Sequence, residues 1–255
     1  MNLKRKFLDH YFRMYEASEF DGLRRIVKDE TNEMTRHMIL ANIPMGYQGY
    51  TIDNVLDTWS ADIANDDAIE NFTLYYNNLE RARENGTGLF FTGTHGLAKT
   101  TAAIVILKHA LAQSFTTYFI SMSDLAEFVT SGWKDYNIKL KYQYIVTHVD
   151  FLVVDDIGRN YNIQSNQSTQ FLDKLFVTRC NQRKSTILTS KHGIYEGDTI
   201  FNESLLTLLK ASLIEIKVVG SDIREHKSTM LIDQLKEDTS KKKTDKTGKR
   251  GKKIG

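Results

Sequence analysis

Hydrophobic positions along the chain follow two patterns. Five short runs are apolar: "LFF" at 89–91, "TYFIS" at 117–121, "VDFLVV" at 149–154, "TILTS" at 186–190 and "LIEIKVV" at 213–219. The first four are near-continuous rather than alternating, which predicts strands buried on both faces of a parallel sheet. Helical spacing fills the intervals. "KTTAAIVILKHALA" (99–112) is apolar almost all round and predicts a helix packed into the core. "SDLAEFVTSGW" begins at Ser123, a candidate N-cap, and "STQFLDKLFVTRC" from Ser168 puts Phe171, Leu172, Leu175 and Phe176 on one stripe. Strand and helix alternating in this way specify a doubly wound α/β fold, a five-stranded parallel sheet flanked by helices.

Upstream of residue 85 the pattern changes. Residues 3–42 read as two or three amphipathic helices rich in charge and methionine, followed by the only proline, Pro44, in "NIPMGYQGYTIDNV". The expected organisation is a small N-terminal helical module for partner binding at 1–45, connector helices at 46–84, the α/β core with a short C-terminal helix at 85–236, and a basic tail at 237–255. An N-terminal extension simply packed on the core is the alternative for the first segment.

Composition narrows the class. Hydrophobic residues make up 41% and charged residues 26%, as in a globular protein with one core, and no run resembles a membrane span or secretory signal. A single cysteine, Cys180, excludes a disulfide framework and a cysteine-based zinc finger, and points to a reducing cytoplasm. Residues 236–255 hold nine Lys/Arg against three acids, a net +6, so the net +2 of the whole chain leaves −4 on the rest. With Ile254 as its single apolar side chain, this tail is expected to be disordered. It serves either to solubilise or as an arm that neutralises nucleic-acid phosphates.

The chemistry sits in "LFFTGTHGLAKTT" (89–101). It follows a strand, opens a helix and matches the phosphate-loop pattern G-x-x-x-x-G-K-[ST] except that Ala98 stands at the second glycine. Gly93, Thr94, His95, Gly96, Leu97, Ala98, Lys99, Thr100 and Thr101 are therefore candidates to bind ATP or ADP. Lys99 would reach the β- and γ-phosphates, and the Thr100 hydroxyl would ligate Mg²⁺. "VDFLVVDDIG" ends a strand on two acids, where a doubly wound sheet collects ligands. Asp155 is the candidate for the Mg²⁺ shell and Asp156 for polarising the attacking water. The Ala98 methyl costs something only if the backbone there needs positive φ or very close phosphate approach.

Taken in order, these pieces resemble the AAA+ ATPases, and more closely the DnaC/DnaI-type replicative helicase loaders with their IstB-like relatives, over roughly residues 40–230. "NIPMGYQGYTIDNV" resembles the family's connector, "GLFFTGTHGLAKT" its phosphate loop and "FLVVDDIG" its Walker B strand. "FLDKLFVTRCNQRKSTILTSK" is similar to its sensor region and "LIEIKVVGSDIR" to its closing strand. Branches of AAA+ carry an Ala-Lys-Thr or Ala-Lys-Ser loop ending, so Ala98 is compatible with binding. The resemblance implies an ATPase core gripping single-stranded DNA, N-terminal helices binding the replicative hexameric helicase, and possible homo-oligomers. It implies that Arg224 approaches the γ-phosphate. Two positions depart from the family: Lys191 replaces the sensor Asn, and Thr207, Leu208 and Leu209 stand where a trans-acting Ser-Arg-Leu is usual. An arginine finger is worth about 10³ to 10⁵ in turnover, so a weak ATPase is expected, unless Lys191, Arg179 or Arg183 supplies the cation rather than serving as a surface charge. Trp133, Tyr136, Tyr142 and Tyr144, interleaved with Lys134, Lys139 and Lys141, form a candidate single-strand contact, with packing under the Walker B strand as the other reading. The polar loop after the acids, "GRNYNIQSNQSTQ", is a second candidate contact. A phage or mobile element is the expected source. An IstB-like transposition helper and a non-hydrolysing adaptor are the alternative functions.

Overall fold

The computed structural model describes residues 32–132, 135–157, 166–193 and 203–222. The helices expected before residue 32, residues 158–165 of the polar loop, Trp133, Lys134, Arg224 and the basic tail lie outside the described residues, while 166–170, read as the end of that loop, open a helix instead.

Helix α1 (Glu33–Leu40) is capped by Asn32, whose side-chain oxygen accepts the N–H groups of Met34 and Thr35. After Pro44, a 3-10 turn at Met45–Tyr47 leads to α2 (Ile52–Trp59), which opens with the Thr51 N–H donating to Asn54 Oδ1 at 2.8 Å. A second turn at Ile63–Asn65 precedes α3 (Asp66–Asn77), and α4 (Leu79–Asn85) stops at Gly86 in the left-handed region. Then come β1 (Gly88–Thr92), α5 (Lys99–Ala112), β2 (Thr117–Ser121), α6 (Met122–Gly132), α7 (Tyr136–His148), β3 (Phe151–Ile157), α8 (Asn166–Asn181), β4 (Ser185–Ser190), α9 (Glu203–Ser212) and β5 (Leu213–Lys217).

The strands form one parallel sheet in the order β2-β3-β4-β1-β5. Because β4 lies between β1 and β3, the loop leaving β1 and the acids ending β3 flank its carboxyl end. The expectation of strands buried on both faces holds: every residue of β1 and β4 is buried, as are the first four of β2 and β3. Edge strand β5 exposes Ile214, Glu215 and Lys217. Helix α5 spans the expected residues and buries nine of its fourteen side chains.

Three local expectations are corrected. The cap of α6 is Ser121, not Ser123: the strand runs straight into the helix, and Ser121 Oγ accepts the Asp124 N–H at 3.1 Å. Strand β3 continues through Asp155 and Asp156 to Ile157, because β2 and β4 supply pairing partners beyond the apolar run. Arg179 is neither a surface charge nor a reserve catalytic cation. It is fully buried and donates to the carbonyls of Ile145, Val146, Val149, Asp150 and Ser185 and to the Thr186 hydroxyl, joining the end of α7 to the starts of β3 and β4. Arg183 lies at the same end of the sheet, beside Gly86. The length of β4, roughly 20 Å, separates both arginines from the phosphate loop.

Residues upstream of β1 are continuous with the core. Met38, Leu40, Ala41 and Ile43 belong to the same buried cluster as the sheet. The Phe119 N–H donates to Ala41 O, and Asn42 Nδ2 returns a bond to Phe119 O, both at 2.9 Å. This short segment closes the otherwise open edge of β2. Among the described residues no helix is long and apolar enough to cross a membrane.

Candidate nucleotide site

The loop from Gly93 to Ala98 turns sharply between β1 and α5, with Gly93 (φ 133°), Gly96 (φ 77°) and Ala98 (φ 56°) all at positive φ. Gly93 has no room for a side chain, and one at Gly96 would have to displace the Asp222 carboxylate. A Cβ at Gly93 would lie 2.1 Å from Val218 O, and one at Gly96 only 1.7 Å from Asp222 Oδ1. Ala98 is the N-terminal flank of α5 and sits in the left-handed region at ψ 19°. The position does need positive φ, so alanine carries a conformational cost that glycine would not.

Lys99 Nζ donates to the carbonyls of Gly93 (2.7 Å) and Thr94 (2.5 Å), so its ammonium lies inside the curl of the loop. Thr100 Oγ1 donates to Asp155 Oδ1 at 2.8 Å across from β3. The same carboxylate oxygen receives the Thr189 hydroxyl at 2.6 Å. Burial pushes the Asp155 carboxyl above its usual range, opposed first by the bond from Thr189 and then by that from Thr100. His95 to Thr101, Asp155, Asp156 and Lys191 line one cleft of about 650 Å³, a size suited to a small-molecule ligand. Of the replacement cations considered from sequence, Lys191 alone is in this cleft.

The other wall was not foreseen as part of the site. Gly46, Tyr47, Tyr50, Asn54, Asp57 and Thr58 line the same cleft. Lys108 on α5 fixes this wall by donating to the carbonyls of Gln48, at 2.6 Å, and Tyr50; burial lowers its pKa. Trp59, fully buried, donates its indole N–H to Leu97 O inside the phosphate loop at 2.9 Å. Buried Asn65 donates to Trp59 O and Val219 O and accepts the Val219 N–H, tying the same corner to the end of β5. These pairings span up to 154 residues, and no local motif announces them.

The geometry fits a nucleotide with its cation. A strand-to-helix loop turned by glycines at positive φ, a lysine ammonium within it, and a hydroxyl paired with a half-buried carboxylate are the groups such a ligand requires. The possible DNA-contact aromatics divide. Tyr142 and Tyr144 pack against the core, Tyr144 stacking on His148 with ring centroids 4.6 Å apart, while Tyr136 is 73% exposed. Lys141 lies over the Phe128 ring rather than projecting freely.

Comparison with known proteins agrees with this geometry. No curated protein matches the chain in sequence. Among solved structures, it is similar to the DnaC helicase loader, with TM-score 0.53 and 20% identity over 62% of this chain and 92% of that one. It is similar to DnaI, with TM-score 0.55 and 18% identity over 69% and 95% of the two chains. AMPPCP-bound DnaA from Aquifex aeolicus aligns with TM-score 0.51 and 20% identity over 69% of this chain and 52% of that one. At such identities the likeness is one of fold alone. The family model for IstB-like ATP binding proteins matches residues 79–219, more than half of the sequence and the whole of the sheet with its phosphate loop and paired acids, and the chain belongs to that family.

Proposed function

We propose that this protein is an ATP-dependent helicase loader that binds Mg²⁺–ATP in the cleft and uses it to engage the replicative DNA helicase and single-stranded DNA. The observation that carries the nucleotide reading is the convergence of Lys99 and Thr100, from the start of α5, with Asp155, from β3, at one end of the sheet, with Thr100 Oγ1 and Asp155 Oδ1 2.8 Å apart. The loader role is supported by the ordered run of loader-like motifs and by a fold shared with the DnaC helicase loader.

In this reading the N–H groups of 93–98 would donate to phosphate oxygens, and Lys99 would turn from its two loop carbonyls to the β- and γ-phosphates. Thr100 and Asp155 hold Mg²⁺, which supplies charge neutralisation at the phosphates. Asp156 would orient a water and take its proton, Arg224 would supply a cation for the phosphates as the family resemblance implies, and Tyr47 and Tyr50 line the opposite wall of the cleft. The segments 1–45 and 46–84 act as partner module and connector, and the cytoplasm is the site of action.

The test is binding of a fluorescent ATP analogue by the full chain and by Lys99→Ala, with and without purified replicative helicase, and ATP turnover with and without single-stranded DNA. Binding lost in Lys99→Ala and tightened by helicase is the expected result. A wild type that binds no analogue in either condition would refute the nucleotide reading. Response to a transposase instead of a helicase would select the transposition-helper role.

One observation favours a second reading, an adaptor that binds ATP without appreciable turnover. At the position of the expected finger, Leu208 packs half-buried against the core, and Lys210 is the only cation on α9. Equal turnover by wild type and Asp156→Asn would select it.

A further inference from the structure

Thr189 stands where two acids share one partner. Where β3 pairs with β4, Val154 is opposite Leu188 and Ile157 opposite Ser190, with the register broken between them. Asp155 and Asp156 therefore face the single residue Thr189, two residues against one, which is a β-bulge. Consecutive side chains of a regular strand leave opposite faces. Here Asp156 adopts φ 61°, and both acids line the same cleft. A left-handed aspartate is tolerated better than most residues, but it persists only where its surroundings hold it.

Thr189 supplies that hold. Its buried hydroxyl accepts the Asp156 N–H at 2.8 Å and gives its own proton to Asp155 Oδ1 at 2.6 Å, the oxygen that also receives Thr100. A hydroxyl has one proton to give and lone pairs with which to receive, so the two tasks do not compete.

We propose that Thr189 is the positioning residue of the carboxylate pair: one hydroxyl aims Asp155 Oδ1 at Thr100 and maintains the bulge that turns Asp156 into the cleft. The inference rests on the Mg²⁺–ATP reading of the same site. It adds that cation affinity depends on a hydroxyl of β4 in the wall of the same cleft.

Thr189→Val keeps the shape and removes the hydroxyl; Thr189→Ser keeps the hydroxyl. Two readouts on the full chain test the idea. The first is amide hydrogen exchange over residues 153–157 without nucleotide, expected to quicken in Thr189→Val and to stay near wild type in Thr189→Ser. The second is the Mg²⁺ concentration needed to tighten a fluorescent ATP analogue, expected to rise about 10- to 100-fold in Thr189→Val, as when groups orienting a metal ligand are removed, and to recover in Thr189→Ser. Unchanged exchange in Thr189→Val would overturn the proposal whether or not nucleotide binds. So would an unchanged Mg²⁺ requirement with Mg²⁺-free affinity and thermal midpoint falling together, since that is loss of packing alone. A wild type that binds no analogue would refute the nucleotide reading and the cation clause with it, while quickened exchange in Thr189→Val and not Thr189→Ser would still support the hold on the bulge.

Discussion

Replacing Ala98 with glycine should stabilise this protein, the reverse of the usual effect of glycine at the start of a helix. Ala98 occupies φ 56°, ψ 19°, where an L-residue costs about 1–2 kcal/mol relative to its right-handed alternatives. Glycine removes that cost but frees the unfolded chain, an offset of about 0.4–1 kcal/mol. The methyl borders the open cleft, so little apolar burial is lost with it. The expected balance is a gain of about 0.5–1 kcal/mol, which corresponds to a rise of roughly 1–4 °C in the midpoint for a chain of this size. Denaturant melts of the nucleotide-free protein measure it directly, as a higher midpoint concentration at constant slope. Ala98→Val serves as the opposite control, because a branched Cβ is least tolerated at positive φ. A midpoint unchanged or lowered in Ala98→Gly would show that the left-handed geometry is not the cost described, and the account of this loop would fail with it.

Three other outcomes follow from described contacts. Arg179→Met leaves four buried carbonyls and the half-buried Asp150 carbonyl without this donor and should cost more than about 4 kcal/mol, seen as a midpoint drop of at least ~8 °C or as loss of soluble protein; Arg179→Lys, with three donors, should fall between, and a near-neutral Met variant would contradict the assignment. Burial pushes the Asp150 carboxyl up, but the Lys184 bond and charge and the Thr116 bonds outweigh it and hold its pKa below the ordinary carboxylate value. Its stabilisation is thus complete above the unfolded value of about 3.9 and lost as pH falls through the lower native value, so Asp150→Asn should be the less stable protein at pH 7 and the gap should close in acid melts; a gap independent of pH would discount the charge. Trp59→Phe keeps the contacts with Phe72 and Phe91 but deletes the bond to Leu97 O, worth about 1 kcal/mol, so analogue affinity should weaken roughly 5-fold with the fold retained; unchanged affinity would mean the loop does not depend on that bond.

What the sequence could disclose was local in origin. The near-continuous apolar runs of β1 to β4 and the all-round apolar helix α5 carry their burial in composition, and the phosphate loop and paired acids are contiguous in the chain. The effect of Ala98 could be posed as a question but not answered, since a dihedral angle is set by the turn as a whole. Trp59 and Asn65 left no signal because their partners lie 38 and 154 residues away, and the sensor-like stretch holding Thr189 did not disclose its bond to Asp155, 34 residues away. Arg179 misled for a related reason. On a helix that also carries Lys174, an arginine near the C-terminus looks like a solvated charge until tertiary packing closes over it. Ser121 and Ser123 are equivalent caps by residue type, and only the abrupt strand-to-helix junction separates them.

The Trp59 bond to the phosphate loop has a thermodynamic corollary. A hydrogen bond between the connector and the nucleotide loop is a shared boundary, and free energy passes across such a boundary in both directions equally. If occupancy of the cleft alters that contact and thereby changes affinity for a protein bound upstream of residue 59 by some factor, that protein must change nucleotide affinity by the same factor. For this chain, measuring either affinity with the other ligand absent and saturating yields both halves of the cycle, and a single number then describes how strongly the two ends of the molecule are coupled.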